Sequence, residues 1–106
     1  MHSLIIISTT FERKGDGEKI AEILLAENLI ACGQLSGPIQ SHYRWEGKTE
    51  KSVEYLLQLK TTASKYDLVE KRIKELHPYD LPEIVAVPVS HCSNEYHHWA
   101  TGEIEG

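Results

Sequence analysis

The chain has 106 residues, 41% of them hydrophobic and 25% charged, which suits one soluble domain built on a single core. Its net charge of −5, with eleven basic residues scattered and mostly beside acids, excludes a nucleic-acid surface, because phosphate binding needs clustered Lys and Arg. The apolar run near the start, "LIII", is too short for a signal-peptide core or a membrane span, so a cytoplasmic protein without membrane contact is expected.

Residues 4–9, "LIIIST", are apolar and β-branched and predict a buried strand. "KGDGE" at 14–18 reads as a turn. From Glu18 to about Leu29 a helix is expected, since Ile20, Ala21, Leu24, Leu25 and Leu29 recur on one face. "CGQLSGPI" at 32–39, with two glycines and a proline, allows only a strand interrupted by a bend or bulge. Gln40 to Lys60 predicts a hairpin with "EGK" at 46–48 as its turn and Val53, Tyr55, Leu57 and Leu59 alternating along the return. A second helix starts at Ser64, which can cap it, and buries Val69, Ile73 and Leu76. Pro78 stops that helix and pushes His77 out of helical geometry. "IVAVPV" at 84–89 is a strand that Pro88 confines to an edge or a bulge. "SNEYHHWATG" forms one or two helical turns capped by Ser93 or Asn94.

This order defines an α+β fold over a single domain, residues 1–106: a ferredoxin-like βαββαβ sandwich with both helices on one face of an antiparallel sheet and a short C-terminal helix. The hairpin exceeds what that fold requires. An arm of about 12 residues spans ~40 Å and must project past its helices, leaving Tyr43, Trp45 and Tyr55 without a core to cover them. Exposed edges and aromatics of this kind predict assembly with further copies. Cys32 and Cys92 share no CxxC spacing and are expected as free thiols. No GxSxG, HExxH, P-loop or GxGxxG occurs, so the chain reads as non-enzymatic.

"AENLIACGQL" (26–35), "SHYRWEGKTE" (41–50), "LLQLKTT" (56–62) and "HPYDLPEIVAVPV" (77–89), followed by "Y..W" (96–99), occur in the order seen in the CutA divalent-cation tolerance family, which the chain resembles over nearly its whole length. The resemblance implies a homotrimer in which long hairpins of neighbours pair, and a connection to tolerance of copper and other divalent cations, without an established reaction. It also implies an architecture similar to PII-like signalling proteins, which bind small ligands in clefts between subunits. The copper site proposed for bacterial members draws on a cysteine near the end of the first strand and a double histidine before "PY". Here Ser8 and Leu76 hold two of those positions, and only His77 remains.

Each candidate has a functional and a structural reading. His77 is a metal ligand, or an imidazole that bonds the last helix carbonyls. Cys32 is a second metal ligand, or a small buried apolar residue. Tyr79 and Glu83 line a ligand cleft or form an inter-subunit pair. Trp45 is a cleft wall or an interface anchor. Glu50 and Lys60, on the hairpin arms, join the ligand set or stay solvated and paired. A lysine, an acid, a tyrosine and a tryptophan meeting in one cleft would take an anion or metabolite. His91, Cys92, His97 and His98 offer soft and borderline donors, but adjacent helix positions point about 100° apart, and their spacing fits no zinc motif. The functional reading is thus a non-enzymatic trimer in divalent metal (Cu2+) tolerance or ligand sensing. Its alternative is a structural scaffold that binds no metal.

Overall fold

In the computed structural model, which describes residues 3–105, the elements follow the order β1 (Leu4–Phe11), α1 (Lys14–Ala26), β2 (Cys32–Trp45), β3 (Lys48–Thr62), α2 (Tyr66–Leu76), β4 (Val85–Pro88) and α3 (Asn94–Glu105). The strands form one antiparallel sheet in the order β2-β3-β1-β4. Alternation along β1 decides the layering. Ile5, Ile7 and Phe11 point to one face and meet Ile20 and Leu24 of α1, Val69 and Ile73 of α2, and Leu57 and Leu59 of β3 in the main core. Leu4 points to the other face, where Ala100 and Ile104 of α3 cover it together with Ala31 and Val89.

Several boundaries differ from the sequence reading, each for a local reason. "KGDGE" is not a free turn but the first turn of α1, because Gly17 lets the helix approach the sheet: a Cβ there would lie 2.9 Å from Leu35 Cδ1. The helix ends at Ala26 rather than near Leu29. Asn28 takes a left-handed φ of 57°, and the Leu29 and Asn28 amides donate back to Leu24 and Leu25 in a Schellman closure. Ser64 does not cap α2, since a 3₁₀ turn (Ala63–Lys65) intervenes and its hydroxyl pairs with Thr62 Oγ1 at 3.0 Å. The C-terminal helix is 12 residues long, beyond the expected one or two turns, with Ser93 Oγ accepting from the Tyr96 amide.

The hairpin is longer than the expected arm of about 12 residues. β2 and β3 run 14 and 15 residues and meet at a two-residue turn, Glu46–Gly47, whose φ values of 50° and 79° are those a type I′ turn needs. Leu57 and Leu59 are fully buried while Val53, on the same face nearer the tip, is 56% exposed, so the arm does extend past the helices. β2 carries the expected bulge between Ser36 and Ile39, across a cis Gly37–Pro38 peptide. Pro88 lies on β4, an edge strand that pairs only with β1. Both Cys32 and Cys92 are free.

Two glycines should respond oppositely to alanine. Gly37 has φ +136°, and a Cβ there would meet the Glu54 carbonyl oxygen at 3.1 Å, so Gly37→Ala should cost about 2 kcal/mol. Gly15, helical with open space around it, should gain about 0.5 kcal/mol in Gly15→Ala. Denaturant unfolding at one protein concentration checks both signs.

Candidate functional site

The site is organised by the segment that leaves α2, rounds the end of β1 and enters β4. His77 caps α2 with its amide on the Ile73 carbonyl (2.8 Å) and then turns extended (φ −73°, ψ 136°), as a residue before proline prefers. Its ring is 8% exposed as a residue and stacks on Phe11 with centroids 4.3 Å apart. The Tyr79 amide can only donate, so its 3.1 Å contact makes Nδ1 an acceptor. Nε2 then carries the proton and donates to the Thr10 carbonyl at 2.9 Å. Burial pushes the imidazole below its ordinary pKa, against the weaker pull of the Thr10 carbonyl.

Fixed in this way, the chain delivers Tyr79 to the sheet face opposite α1 and α2. Its hydroxyl donates to Glu54 Oε2 at 2.8 Å, and burial together with that carboxylate pushes the phenol well above the usual tyrosine range. Glu54 itself is 8% exposed. Around this pair opens a cleft of about 580 Å³. Its lining includes three aromatic residues, Tyr43, Trp45 and Tyr79, the imidazole residue His42, and four acids, Glu12, Glu54, Asp80 and Glu83. Among the described residues no Lys or Arg lines it.

Of the residues singled out in the sequence, Trp45, Tyr79 and Glu83 come together here. Glu50 and Lys60 do not. Glu50 is exposed opposite Tyr43 in the hairpin ladder, outside the lining, and Lys60 lies toward the far end of β3 with Nζ 5.3 Å from the Tyr96 ring centroid. Within one subunit these residues therefore do not meet in a lysine-bearing pocket. Cys32 pairs in register with Lys60, and Lys60 with Ile6, whereas His77 is held at Thr10, four positions along β1. At ~3.3 Å per residue this separates Cys32 and His77 by ~13 Å along the sheet, too far for one ion. Ser8 sits on β1 between Gln58 and Val85, and Leu76 packs on the main core. Among the described residues no three His, Cys, Asp or Glu side chains converge as metal ligands, which includes His91, Cys92, His97 and His98.

The sequence did not signal Glu54, Glu12 or Asp80. Glu54 occupies what reads as a solvent-facing position of β3, and its partner Tyr79 comes from 25 residues away. "PYD" marks Asp80 as a loop acid and nothing more.

Residues 5–103 match the family model of the CutA1 divalent ion tolerance protein. The chain is 40% identical over 100 residues to a divalent-cation tolerance protein CutA of Pyrococcus horikoshii, covering 94% of this chain and 97% of that one. It is 36% identical over 99 residues to the protein of that name in Thermus thermophilus, covering 93% and 94%. The crystal structure of CutA from Xylella fastidiosa superposes with a TM-score of 0.92 at 38% identity, covering 95% of this chain and 97% of that one.

The depressed imidazole fixes a pH response. The unfolded chain takes up a proton near 6.5 that the folded ring accepts only at lower pH, so stability due to His77 is whole above 6.5 and is lost as pH falls below it. His77→Gln should be less stable at pH 7.5 by about 2 kcal/mol, for the lost hydrogen bonds and stacking. It should also lose less on going to pH 5.5 than the wild type does. Thermal melts of both proteins at the two pH values check this, and parallel losses would show that His77 does not carry the slope.

Proposed function

Because this chain belongs to the CutA1 divalent ion tolerance family, we propose that it is a non-enzymatic, homotrimeric binding protein of divalent-cation tolerance that senses a ligand at the cleft between Tyr79 and the β2–β3 hairpin. The observation that carries this reading is the cleft itself: a space within the ordinary range for small-molecule sites, three aromatic residues, and a part-buried Tyr79–Glu54 hydrogen bond positioned through His77. The strand order β2-β3-β1-β4, with α1 and α2 on one face, supports a ferredoxin-like subunit.

Assembly is supported by what the subunit leaves uncovered. Tyr43, Trp45, Val85 and Val87 are each 45–54% exposed on the sheet face opposite α1 and α2. β2 is moreover a long unpaired edge. In a trimer of the PII-like kind the cleft lies at a subunit boundary, and Trp45 serves both the interface and the ligand. We place this role in the cytoplasm.

The metal connection in this reading is indirect. His77 spends both ring nitrogens on the fold and Cys32 stands apart from it, so the residues present do not fit the copper site proposed for bacterial relatives. A scaffold that only holds itself together is the second reading, favoured by the same exposed aromatics.

Native mass spectrometry of metal-free protein, then with one equivalent of Cu(II) per chain, should give a trimer that retains no stoichiometric copper. One copper per chain, abolished by His77→Ala in a surviving trimer, would reinstate direct binding. Trp45→Ala should weaken the trimer on dilution. A trimer whose melting temperature ignores every small-molecule class would favour the scaffold.

A further inference from the structure

We propose that His77 is an acid-sensitive latch: protonation of its Nδ1 releases residues 78–83, and Tyr79 among them, while the sheet and helices stay folded. The latch lies within one chain and does not depend on what occupies the cleft. It is distinct from the loss of overall stability derived above, because acid opens one segment only.

Very little else holds that segment. Among the described residues, no backbone–backbone hydrogen bond involves 78–83, and no helix or strand includes them. Pro78, Asp80, Leu81 and Glu83 are exposed. Two hydrogen bonds anchor the segment, both through Tyr79. Its amide donates to His77 Nδ1 at 3.1 Å, and its hydroxyl donates to Glu54 Oε2 at 2.8 Å. The chain on either side is secured separately, by the His77 amide on the Ile73 carbonyl and by Ile84 packed on the main core. Opening is therefore confined between those two points.

The imidazole, for its part, has no spare acceptor. β4 stops pairing with β1 at Ser8, and the Thr10 carbonyl beyond it accepts from Nε2 instead. That bond leaves Nδ1 as the acceptor for Tyr79. A proton added at Nδ1 sets two N–H groups against each other across 3.1 Å. Turning the ring restores nothing, since an imidazolium has two donors and no acceptor. A second copy of the chain can reach little of His77, which is already 8% exposed in the single subunit.

Removal from water dominates the electrostatics of the ring. The Thr10 carbonyl of β1, Asp16 of α1 and Glu54 of β3 all favour the proton but are outweighed. The Tyr79 phenol, held well above the usual tyrosine range, keeps its proton throughout. When the segment leaves, the ring regains water and its ordinary affinity for a proton, so acid favours the open form. The open fraction is constant above 6.5 and rises as pH falls below it. Tyr79 and Glu54 both line the cleft, so opening removes one of its walls.

The test is hydrogen exchange of the assembled protein, with a chelator present, followed by NMR at pH 7.5, 6.5 and 5.5 and corrected for intrinsic rates. Protection of the Tyr79 amide should fall about 10-fold between pH 7.5 and 5.5, with the amides of β1 and β3 unchanged. His77→Gln should abolish this dependence. Glu54→Gln, which keeps an acceptor for the phenol, should leave it in place. Imidazole 15N shifts of the wild type need no variant: at pH 7.5 they should show Nε2 protonated and Nδ1 bare. Should either variant fail to fold, the wild-type exchange profile and tautomer decide.

A Tyr79 amide indifferent to pH, or a dependence that persists in His77→Gln, would overturn the latch. A dependence lost in Glu54→Gln would do so too, by assigning the acid response to the carboxylate. Protection falling in parallel across β1 and β3 would mean unfolding or dissociation of the whole, not release of a segment. An Nδ1–H tautomer at pH 7.5 would remove the acceptor on which the latch rests.

Discussion

The arrangement of the cleft depends on one imidazole. His77 closes α2, stacks on Phe11 of the main core, donates to the Thr10 carbonyl near the end of β1 and accepts from the Tyr79 amide. A helix end, a strand end and a loop are thereby tied at one point. Each ring nitrogen has a definite role, so the orientation of the ring admits one neutral tautomer. Tyr79 begins its segment from that fixed origin, which is why a loop residue can meet Glu54 at 2.8 Å on the opposite face of the sheet. Two hydrogen bonds of about 1 kcal/mol each do not make His77 the largest contributor to stability; its importance is geometric.

The second constraint is the length of the hairpin. A 14-residue strand against a 15-residue one cannot be covered by helices of 13 and 11 residues, which rise less than half as far per residue. The outer third of the hairpin therefore has no core of its own: Val53 is left uncovered on the helix side, and Tyr43 and Trp45 stand half exposed on the other face. The same overhang creates the far wall of the cleft. Overreach of the strands and formation of the site are one structural event, so a ligand in the cleft and a neighbour on the hairpin would act on the same residues.

What could be read in the sequence follows from how locally each feature is encoded. The β1 apolar run, the α2 stripe, the bulge at Gly37–Pro38 and the hairpin turn within "EGK" are written in adjacent residues, and the structure has them there, with Lys48 already in β3. The start of α1 was missed because two glycines read as a turn, and only the packing of Gly17 against Leu35 explains a helix there. At the site, Trp45, Tyr79 and Glu83 stood out because neither a hairpin tip nor a loop needs them. Glu54 did not, since its hydrogen-bond partner is a side chain 25 positions later. Lys60 was grouped with them by chemical type, but the register Lys60↔Ile6 sets it four rungs from Thr10, where the cleft begins. Sequence pattern names residue types; strand register decides which of them meet.

Register also decides the sign of the site. Had Lys60 reached the cleft, Glu54 would have found an ion pair and the pocket would have been near neutral, suited to a carboxylate or phosphate. With Lys60 beside Tyr96 instead, the cleft of one subunit has four acids, His42 and no Lys or Arg among the described residues. Carboxylates held this way repel one another, and a fold that gained nothing from them would be better served by amides of the same shape. A positive group brought to this face, whether from a ligand or from a second copy of the chain, would relieve that repulsion. The acidic lining is thus a cost to the isolated subunit, and it centres on Glu54, which is 8% exposed and held by Tyr79.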